Sequence, residues 1–587
     1  MPSLSSLFLV SIPLVLLALF FQTGTPALAL NLVAEHVAFK VVRNLLATTY
    51  CYASVKTLSE SGSDADCFSV FNGKFTKIIP KGSSTVLQQL EARSGHVIPG
   101  LWDGHGHLVQ FGESLDSVSI FGAGSMQEVQ RRLQEYKVAR PEKGSKKEWL
   151  RGVGWDQANF EGKWPTSSDL EIDDSFKDLY VMLDRVDVHC IWVSDKVLDL
   201  LPSKLPDVPG GEIPAKGVFC DNAMDIVLEV YPKPDKARKT KFVKDAMTEL
   251  NKLGIVGMHD AGVIPSDLQL YKGLAADEDW TVRVYAMIEC DVRNTFCPDA
   301  VERVVTPNGK FHVQGVKLFG DGALGSWGSA MIEPYTDKSS SSGSLLVNAT
   351  ALSRVTLDWA TVGYQVNIHA IGDLANRLAI DAFEAALKTL CPRSSSRECQ
   401  DRYRFRIEHA QIIHPDDQQR MSEIGIIPSI QPTHATSDMG YAESRLGEQR
   451  TKDEAYRMRS LLPLRPVLGS DFPVEPASVF EGMYAATTRR SPHTGLDPSG
   501  GKTGWYPEET ITLDDALKGF TINPAYGAFL EGKAGVIDVG AYADWVVLDQ
   551  PLESLNLEDL RKVTVRETWV GGKRVYQRPK AQELLET

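Results

Sequence analysis

After Gly95 the sequence settles into short apolar runs alternating with longer amphipathic segments, and this alternation limits the fold more than any other feature. The runs VIPGLWD, WLRGVGW, LYVMLDR, GIVGMHD, VRVYAMIE, VQGVKLFGD, YQVNIHA, RFRIEHA, IGIIPSIQP and RPVLGSD are dominated by aliphatic and β-branched residues. Strands buried on both faces read this way, and such strands belong to parallel sheets. Helical periodicity appears between them, at residues 125–139, 236–253, 374–390 and 513–520. Repeated strand-then-helix order predicts an α/β fold. Ten strand candidates exceed the eight staves of an α/β barrel by two, and the sequence leaves open which two are accessory.

Both ends of the chain return to short β. Residues 52–58 and the segment FSVFNGKFTKII, with Asn72-Gly73 as a hairpin signal, precede the barrel-sized centre. Residues 543–548 and 563–576, with Gly571-Gly572 as a second turn, follow it. One small β domain assembled from both termini is expected. The expected organisation is a leader at 1–29, an extension at 30–49, a first β piece at 50–95, the barrel at 96–530, and a second β piece with the C-terminal tail at 531–587.

The leader is defined by charge: no charged side chain precedes Glu35, and residues 7–21 (LFLVSIPLVLLALFF) are almost purely apolar. That run fits the h-region of a signal peptide, with small residues at Ala27-Leu28-Ala29 for cleavage, better than a spanning helix of about 20 residues. An uncleaved membrane anchor through 7–21 is the alternative, and either places the body of the protein in the secretory lumen or outside. Asn348-Ala349-Thr350 is an N-glycosylation sequon in a Ser/Gly-rich stretch. The eight cysteines are dispersed without zinc-like spacing; Cys391 and Cys399 flank a polar loop and either pair or remain isolated thiols. With 62 basic against 76 acidic residues, a net charge of −14 and no basic stripe, the chain is a poor partner for nucleic acid or anionic membrane surfaces.

The polar residues that stand out sit at strand ends. His105 and His107 follow VIPGLWDG two residues apart, so in extended backbone both rings project to one side. Lys317 lies in VQGVKLFGDG, His369 in YQVNIHAIGD, His409 in RFRIEHAQ and Asp471 in RPVLGSDFPV. Singly, each has an ordinary structural explanation: a bonded core histidine, a helix cap, an ion-pair partner. Together, at the strand ends where barrels build active sites, six ionisable groups in apolar surroundings point to bound metal, because buried charge is costly unless paired or ligated. An unmodified lysine cation would repel metal, so Lys317 makes sense either as a carbamate, an anion able to bridge two ions about 3.5–4 Å apart, or displaced from direct contact with the ions. His259, in GMHDAG, ends another strand and is a candidate supporting residue.

The strings PGLWDGHGH, VKLFGDGALGS, NIHAIGD, RIEHAQ, QPTHATSD and GSDFPV resemble the amidohydrolase superfamily in its YtcJ-like (amidohydrolase 3) branch, with coverage from about Tyr50 to Tyr576. The resemblance implies a (β/α)8 TIM-type barrel with a small composite β-sandwich from the N- and C-terminal segments. It implies that His105, His107, His369, His409 and Asp471 ligate divalent metal, with two Zn2+ bridged by carboxylated Lys317. Asp471 and Lys317 take the catalytic roles, Asp471 as the general acid/base. Segments matching GVGWDQANF, DRVDVH and QPTHATSD line the family's substrate pocket, which adds Trp155, Asp156, Asp187, His189 and His434 as substrate-binding candidates. The hydrophobic leader departs from the family pattern.

The expected activity is hydrolysis of a non-peptide C–N bond in a small molecule, an N-acyl or N-formyl amine, cyclic amide or carbamate, by metal-activated hydroxide. The rivals are an ester or lactone hydrolase using the same centre, and a non-catalytic barrel that binds a ligand. Homo-oligomerisation stays open.

Overall fold

The computed structural model describes residues 46–60, 62 and 64–579. The leader at 1–29, most of the extension at 30–49 and the end of the tail lie outside the described residues. Among the described residues no helix is long and apolar enough to cross a membrane.

Eight parallel strands form the barrel: β1 (Leu101–Gly106), β2 (Ile255–Val263), β3 (Arg283–Ile288), β4 (Phe311–Phe319), β5 (Gln365–Ala370), β6 (Arg406–His409), β7 (Ile427–Ile430) and β8 (Val467–Leu468), each paired with the next. The ring closes where Gly106, at the end of β1, bridges to Phe472 just beyond β8. Gly104 permits that seam, since a Cβ there would lie 2.2 Å from Val467 Cγ1 and 2.6 Å from the Leu468 carbonyl oxygen. The apolar run around residue 100 serves two sheets. Arg93–Pro99 pairs with terminal strands, the chain breaks at Gly100, and β1 enters the barrel. Helices cover the ring. The helix Asp373–Leu390 buries Ala375, Ala379, Ile380, Phe383, Ala386 and Leu387 at helical spacing, and each buried Ile, Leu or Phe is worth about 1.5–3 kcal/mol.

The two accessory strands are Leu150–Trp155 and Val181–Arg185. They belong to a six-stranded sheet running Gly211–Ala215, Val218–Asp221, Cys190–Val193, Val181–Arg185, Leu150–Trp155 and Val118–Ser119. This sheet lies within the 96–530 span, between β1 and β2, and has its own core around Trp155, Leu183 and Trp192.

Both termini build a third, seven-stranded sheet, in which Arg93–Pro99 pairs antiparallel with Trp545–Leu548 and so joins the two halves. Its first strand, Thr48–Val55, is interior, paired on both sides. Both hairpin signals form turns with positive φ at Asn72 (49°) and Gly73 (72°), and at Gly571 (58°) and Gly572 (75°), which suits two-residue connections between twisted strands. The sheet's core is aromatic: Trp545 stacks on Trp569 at 4.7 Å and meets Phe68 edge-on at 5.0 Å. Arg283 of β3 forks onto Asp544 at 2.6 and 2.9 Å, tying this sheet to the barrel floor.

All eight cysteines are paired, as Cys51–Cys67, Cys190–Cys220, Cys290–Cys297 and Cys391–Cys399.

One buried carboxyl makes stability depend on pH. Glu454 is 8 % exposed, its Oε2 lacks a hydrogen-bond partner, and burial, helped by Asp373, pushes its pKa up to about 7. Folded Glu454 therefore holds its proton more tightly than the unfolded chain does, so stability falls as pH rises from about 4.5 to 7. Glu454→Gln is expected to raise Tm at pH 8, by a stabilisation of order 1–2 kcal/mol, and to change little at pH 5. Equal Tm shifts at both pH values would contradict this.

Candidate metal centre

The strand ends deliver their polar groups to one spot at the C-terminal mouth of the barrel. His105, on β1, is fully buried; its Nδ1 lies 2.5 Å from Glu408 Oε2, and its Nε2 lies 3.4 Å from Lys317 Nζ and 3.5 Å from Asp471 Oδ1. An imidazole Nδ1–H bonded to a carboxylate leaves Nε2 with its lone pair, the arrangement that orients metal-ligating histidines. His107, one step past β1, places Nε2 3.1 Å from the same Asp471 Oδ1. His369 and His409, ending β5 and β6, face each other with ring centroids 4.5 Å apart, and His409 is 4.8 Å from His105. His369 Nε2 is buried without a hydrogen-bond partner.

Two backbone features aim these groups. His409 and Asp471 have φ of 72° and 64°, left-handed conformations that non-glycine residues adopt at a cost of order 1–3 kcal/mol and that concentrate at functional sites. The Asp471 N–H donates to the His105 carbonyl at 2.7 Å, pinning the turn.

The electrostatics suit a cation. Burial pulls the His105 imidazole down to about 4 and takes His369 and His409 well below their ordinary value, so all three are neutral donors near pH 7. Burial pushes the Asp471 carboxyl up, but His105 and His107 outweigh it and keep it an anion. Desolvation lowers the Lys317 amine. Among the described residues, two triads bring one donor atom each within 4.8 Å: His105 with His107 and Asp471, and His409 with His434 and Asp471. Unpartnered imidazole nitrogens around a buried carboxylate fit a divalent ion.

Beside this cluster lie two adjoining hollows of about 130 and 140 Å3, both lined by Asp187, His189, His369, His409 and Asp471. Asp156 and His434 line the first. Arg185, almost fully buried, holds two of the pocket carboxylates: Nη2 donates to Asp156 Oδ1 at 2.8 Å, and Nη1 pairs with Asp187. His189 Nδ1 is 2.8 Å from Asp221 Oδ1, and that carboxylate outweighs burial to hold the imidazole above its ordinary value. The Cys190–Cys220 bridge joins the residues next to both members of this pair.

Trp155 departs from the expectation of substrate contact. It is fully buried in the six-stranded sheet, its Nε1 donates to the Leu183 carbonyl at 2.9 Å, and its ring packs on Trp164 and Trp192, away from the pocket. His259 lies beneath the site: its Nε2 is 3.0 Å from the Pro524 carbonyl and its Nδ1 meets Arg406. Sequence reasoning missed Glu408, Arg406, Asp221 and Arg185. Glu408 stands directly before His409 in RIEH, a signal passed over because adjacent strand residues normally face opposite ways.

The profile of the Amidohydrolase family matches residues 90–576. Over 571 residues the chain is 28% identical to "Protein LONG AFTER FAR-RED 3" of Arabidopsis thaliana, covering 91% of this chain and 92% of that one. It is 26% identical to the putative amidohydrolase YtcJ of Bacillus subtilis (86% and 94% covered) and 24% identical to the N-substituted formamide deformylase of Arthrobacter pascens (90% and 97%). Among solved structures, an uncharacterized metal-dependent hydrolase from Pyrococcus horikoshii superposes with a TM-score of 0.67 at 24% identity, covering 87% of this chain and 99% of that one.

Proposed function

The chain belongs to the amidohydrolase family, a hydrolase family acting on small molecules, and on that footing we propose that it cleaves a non-peptide C–N bond of an N-acyl or N-formyl amine, cyclic amide or carbamate. The observation that carries this reading is the convergence of His105, His107, Lys317, His369, His409 and Asp471 on one buried spot that opens into a pocket. The relative named for N-substituted formamides, similar over nearly its whole length, supports the substrate class.

His105, His107, His369, His409 and Asp471 would hold divalent metal, and Lys317, whose amine desolvation pulls below its ordinary value, would take up CO2 as a carbamate with release of a proton and bridge two ions, Zn2+ being preferred. When bound, such ions acidify water toward neutrality and polarise the scissile carbonyl. Asp471 orients the attacking water, accepts its proton and returns it to the leaving nitrogen. His189, steadied by Asp221, and the Arg185-bound pair Asp156 and Asp187 position the substrate. The same reading takes the protein into the secretory pathway, cleaved after Ala29 or anchored through 7–21. Four disulfides support an oxidising compartment, and Asn348 of the sequon is exposed where it caps the helix Ala349–Thr361.

Elemental analysis of purified protein, with a panel of formamides, amides, cyclic amides, carbamates and esters, tests the reading. Divalent metal in the protein, and C–N hydrolysis that disappears on chelation and returns with Zn2+, are expected. Chelation should also lower Tm, because a ligand at 1,000 times its Kd stabilises the fold by about 4 kcal/mol. Protein that binds no divalent ion would sink the proposal, and hydrolysis confined to esters would favour the ester-hydrolase rival. N-terminal sequencing of secreted material decides between cleavage and anchoring.

A further inference from the structure

We infer that His434 is itself a metal ligand, completing with His409 and Asp471 the site of a second divalent ion, and that Asp471 joins the two sites by offering one carboxylate oxygen to each. The inference rests on the reading above that the cluster holds metal, and it moves His434 from the substrate pocket into the metal centre.

The two triads divide the Asp471 carboxylate cleanly. Oδ1 faces His107 Nε2 at 3.1 Å and His105 Nε2 at 3.5 Å, whereas Oδ2 faces His434 Nε2 at 3.7 Å, and a ring nitrogen of His409 completes the second triad within 4.8 Å. Ligands about 2.0–2.1 Å from a tetrahedral ion stand roughly 3.4 Å from one another, and the nearest contact on each side of the carboxylate lies close to that edge length. A substrate-binding histidine beside a carboxylate would be expected to donate to it. His434 does not: its Nε2 is shielded from solvent and has no hydrogen-bond partner, although an acceptor lies 3.7 Å away. A donor atom and a carboxylate oxygen held apart at that distance match an intervening cation better than a hydrogen bond.

The local fold explains how His434 arrives there. The chain leaves β7 at Ile430, and Gln431 and Pro432 start the short helix Pro432–Asp438, with the His434 N–H donating to the Gln431 carbonyl at 3.1 Å. The His434 ring then lies nearly parallel to that of His409, 5.8 Å away at an interplanar angle of 13°. Gln431 sets the other ring: its Oε1, 2.9 Å from His409 Nδ1, accepts the Nδ1 proton and leaves Nε2 as the His409 donor atom. One turn thus supplies both the added donor and the group that orients its neighbour. An ionised carboxylate has about four lone-pair sites, so Asp471 spanning two ions still has the means to accept a proton from water.

The test counts metal in the purified full chain, loaded with Zn2+ or Co2+ and freed of excess. Wild type is expected to hold two ions per chain and His434→Gln one, with His189→Gln, a pocket residue outside both triads, still holding two. His434→Cys with Co2+ provides a second readout, since a thiolate on cobalt gives a charge-transfer band in the near ultraviolet only if residue 434 ligates. Thermal melts identify any variant that fails to fold, and His434→Asp, which restores a ligand atom, should recover the second ion. Two ions in both wild type and His434→Gln, with no charge-transfer band in the cysteine variant, would overturn the inference while leaving the metal-centre reading intact. A wild type without metal would instead fail that earlier reading.

Discussion

Asp471→Asn is expected to lower kcat on the best C–N substrate by about 10²–10⁴-fold, the range lost when a positioned acid/base group is removed, with kcat/KM falling in parallel. The substitution keeps the side chain's shape, and Asn tolerates the left-handed backbone that Asp471 adopts at φ 64° better than most residues. The turn held by the Asp471 N–H on the His105 carbonyl should therefore survive. What disappears is the anion: an amide oxygen accepts no proton from water and is a weaker partner for a cation facing His105 and His107. If the loss is in proton transfer, kcat falls while KM changes little, because the proposed substrate contacts, His189 and the Arg185-bound carboxylates, are left in place. If the loss is only in metal retention, excess Zn2+ restores the rate. Steady-state kinetics at rising Zn2+, with circular dichroism to confirm folding, separate these outcomes. Activity within tenfold of wild type at every metal concentration would remove Asp471 from the chemistry.

The barrel was legible because its staves are buried on both faces and end in groups that burial penalises. Eight of ten candidate runs became staves, and the placement of His105, His107, Lys317, His369, His409 and Asp471 at the mouth followed from strand ends alone. The two accessory strands were illegible for the same physical reason. Leu150–Trp155 and Val181–Arg185 are also parallel and packed on both sides, so nothing in their composition separates them from staves. Trp155 was misplaced along with its strand, since an aromatic residue at a strand end serves a core or a pocket equally well. Glu408 escaped because period-2 alternation sends consecutive residues to opposite faces. The left-handed turn at His409 breaks that alternation, letting Glu408 and His409 both serve the site, and a dihedral of that kind leaves no mark in an Ile-Glu-His sequence.

Glu408→Gln should be the most destabilising single change near the site, and it should separate structural support from metal affinity. Glu408 and Arg406 are fully buried in the barrel interior, with Arg406 Nε 2.9 Å from Glu408 Oε1 and Arg406 Nη2 donating to Oε2 at 3.1 Å. Arg406 also reaches the Gly104 carbonyl at 3.1 Å and His259 Nδ1 at 2.5 Å, so the guanidinium is fixed on several sides. Burial works to raise the Glu408 carboxyl, but Arg406 and His105 outweigh it and hold it ionised. A neutral Gln leaves Arg406 without its counter-charge, and removing one partner of a buried pair costs about 3–5 kcal/mol. The change also withdraws the carboxylate from His105 Nδ1, and loss of such a partner weakens metal binding by about 10–100-fold. Pairing Glu408→Gln with Arg406→Met discriminates the two effects. Without a stranded cation the double variant regains most of the lost Tm in metal-free protein, yet its zinc affinity stays low because His105 Nδ1 still faces a neutral amide in place of its carboxylate. Recovery of both quantities together would mean that Glu408 acts on the metal only through the fold, and recovery of neither would mean that Arg406 is held chiefly by Gly104 and His259.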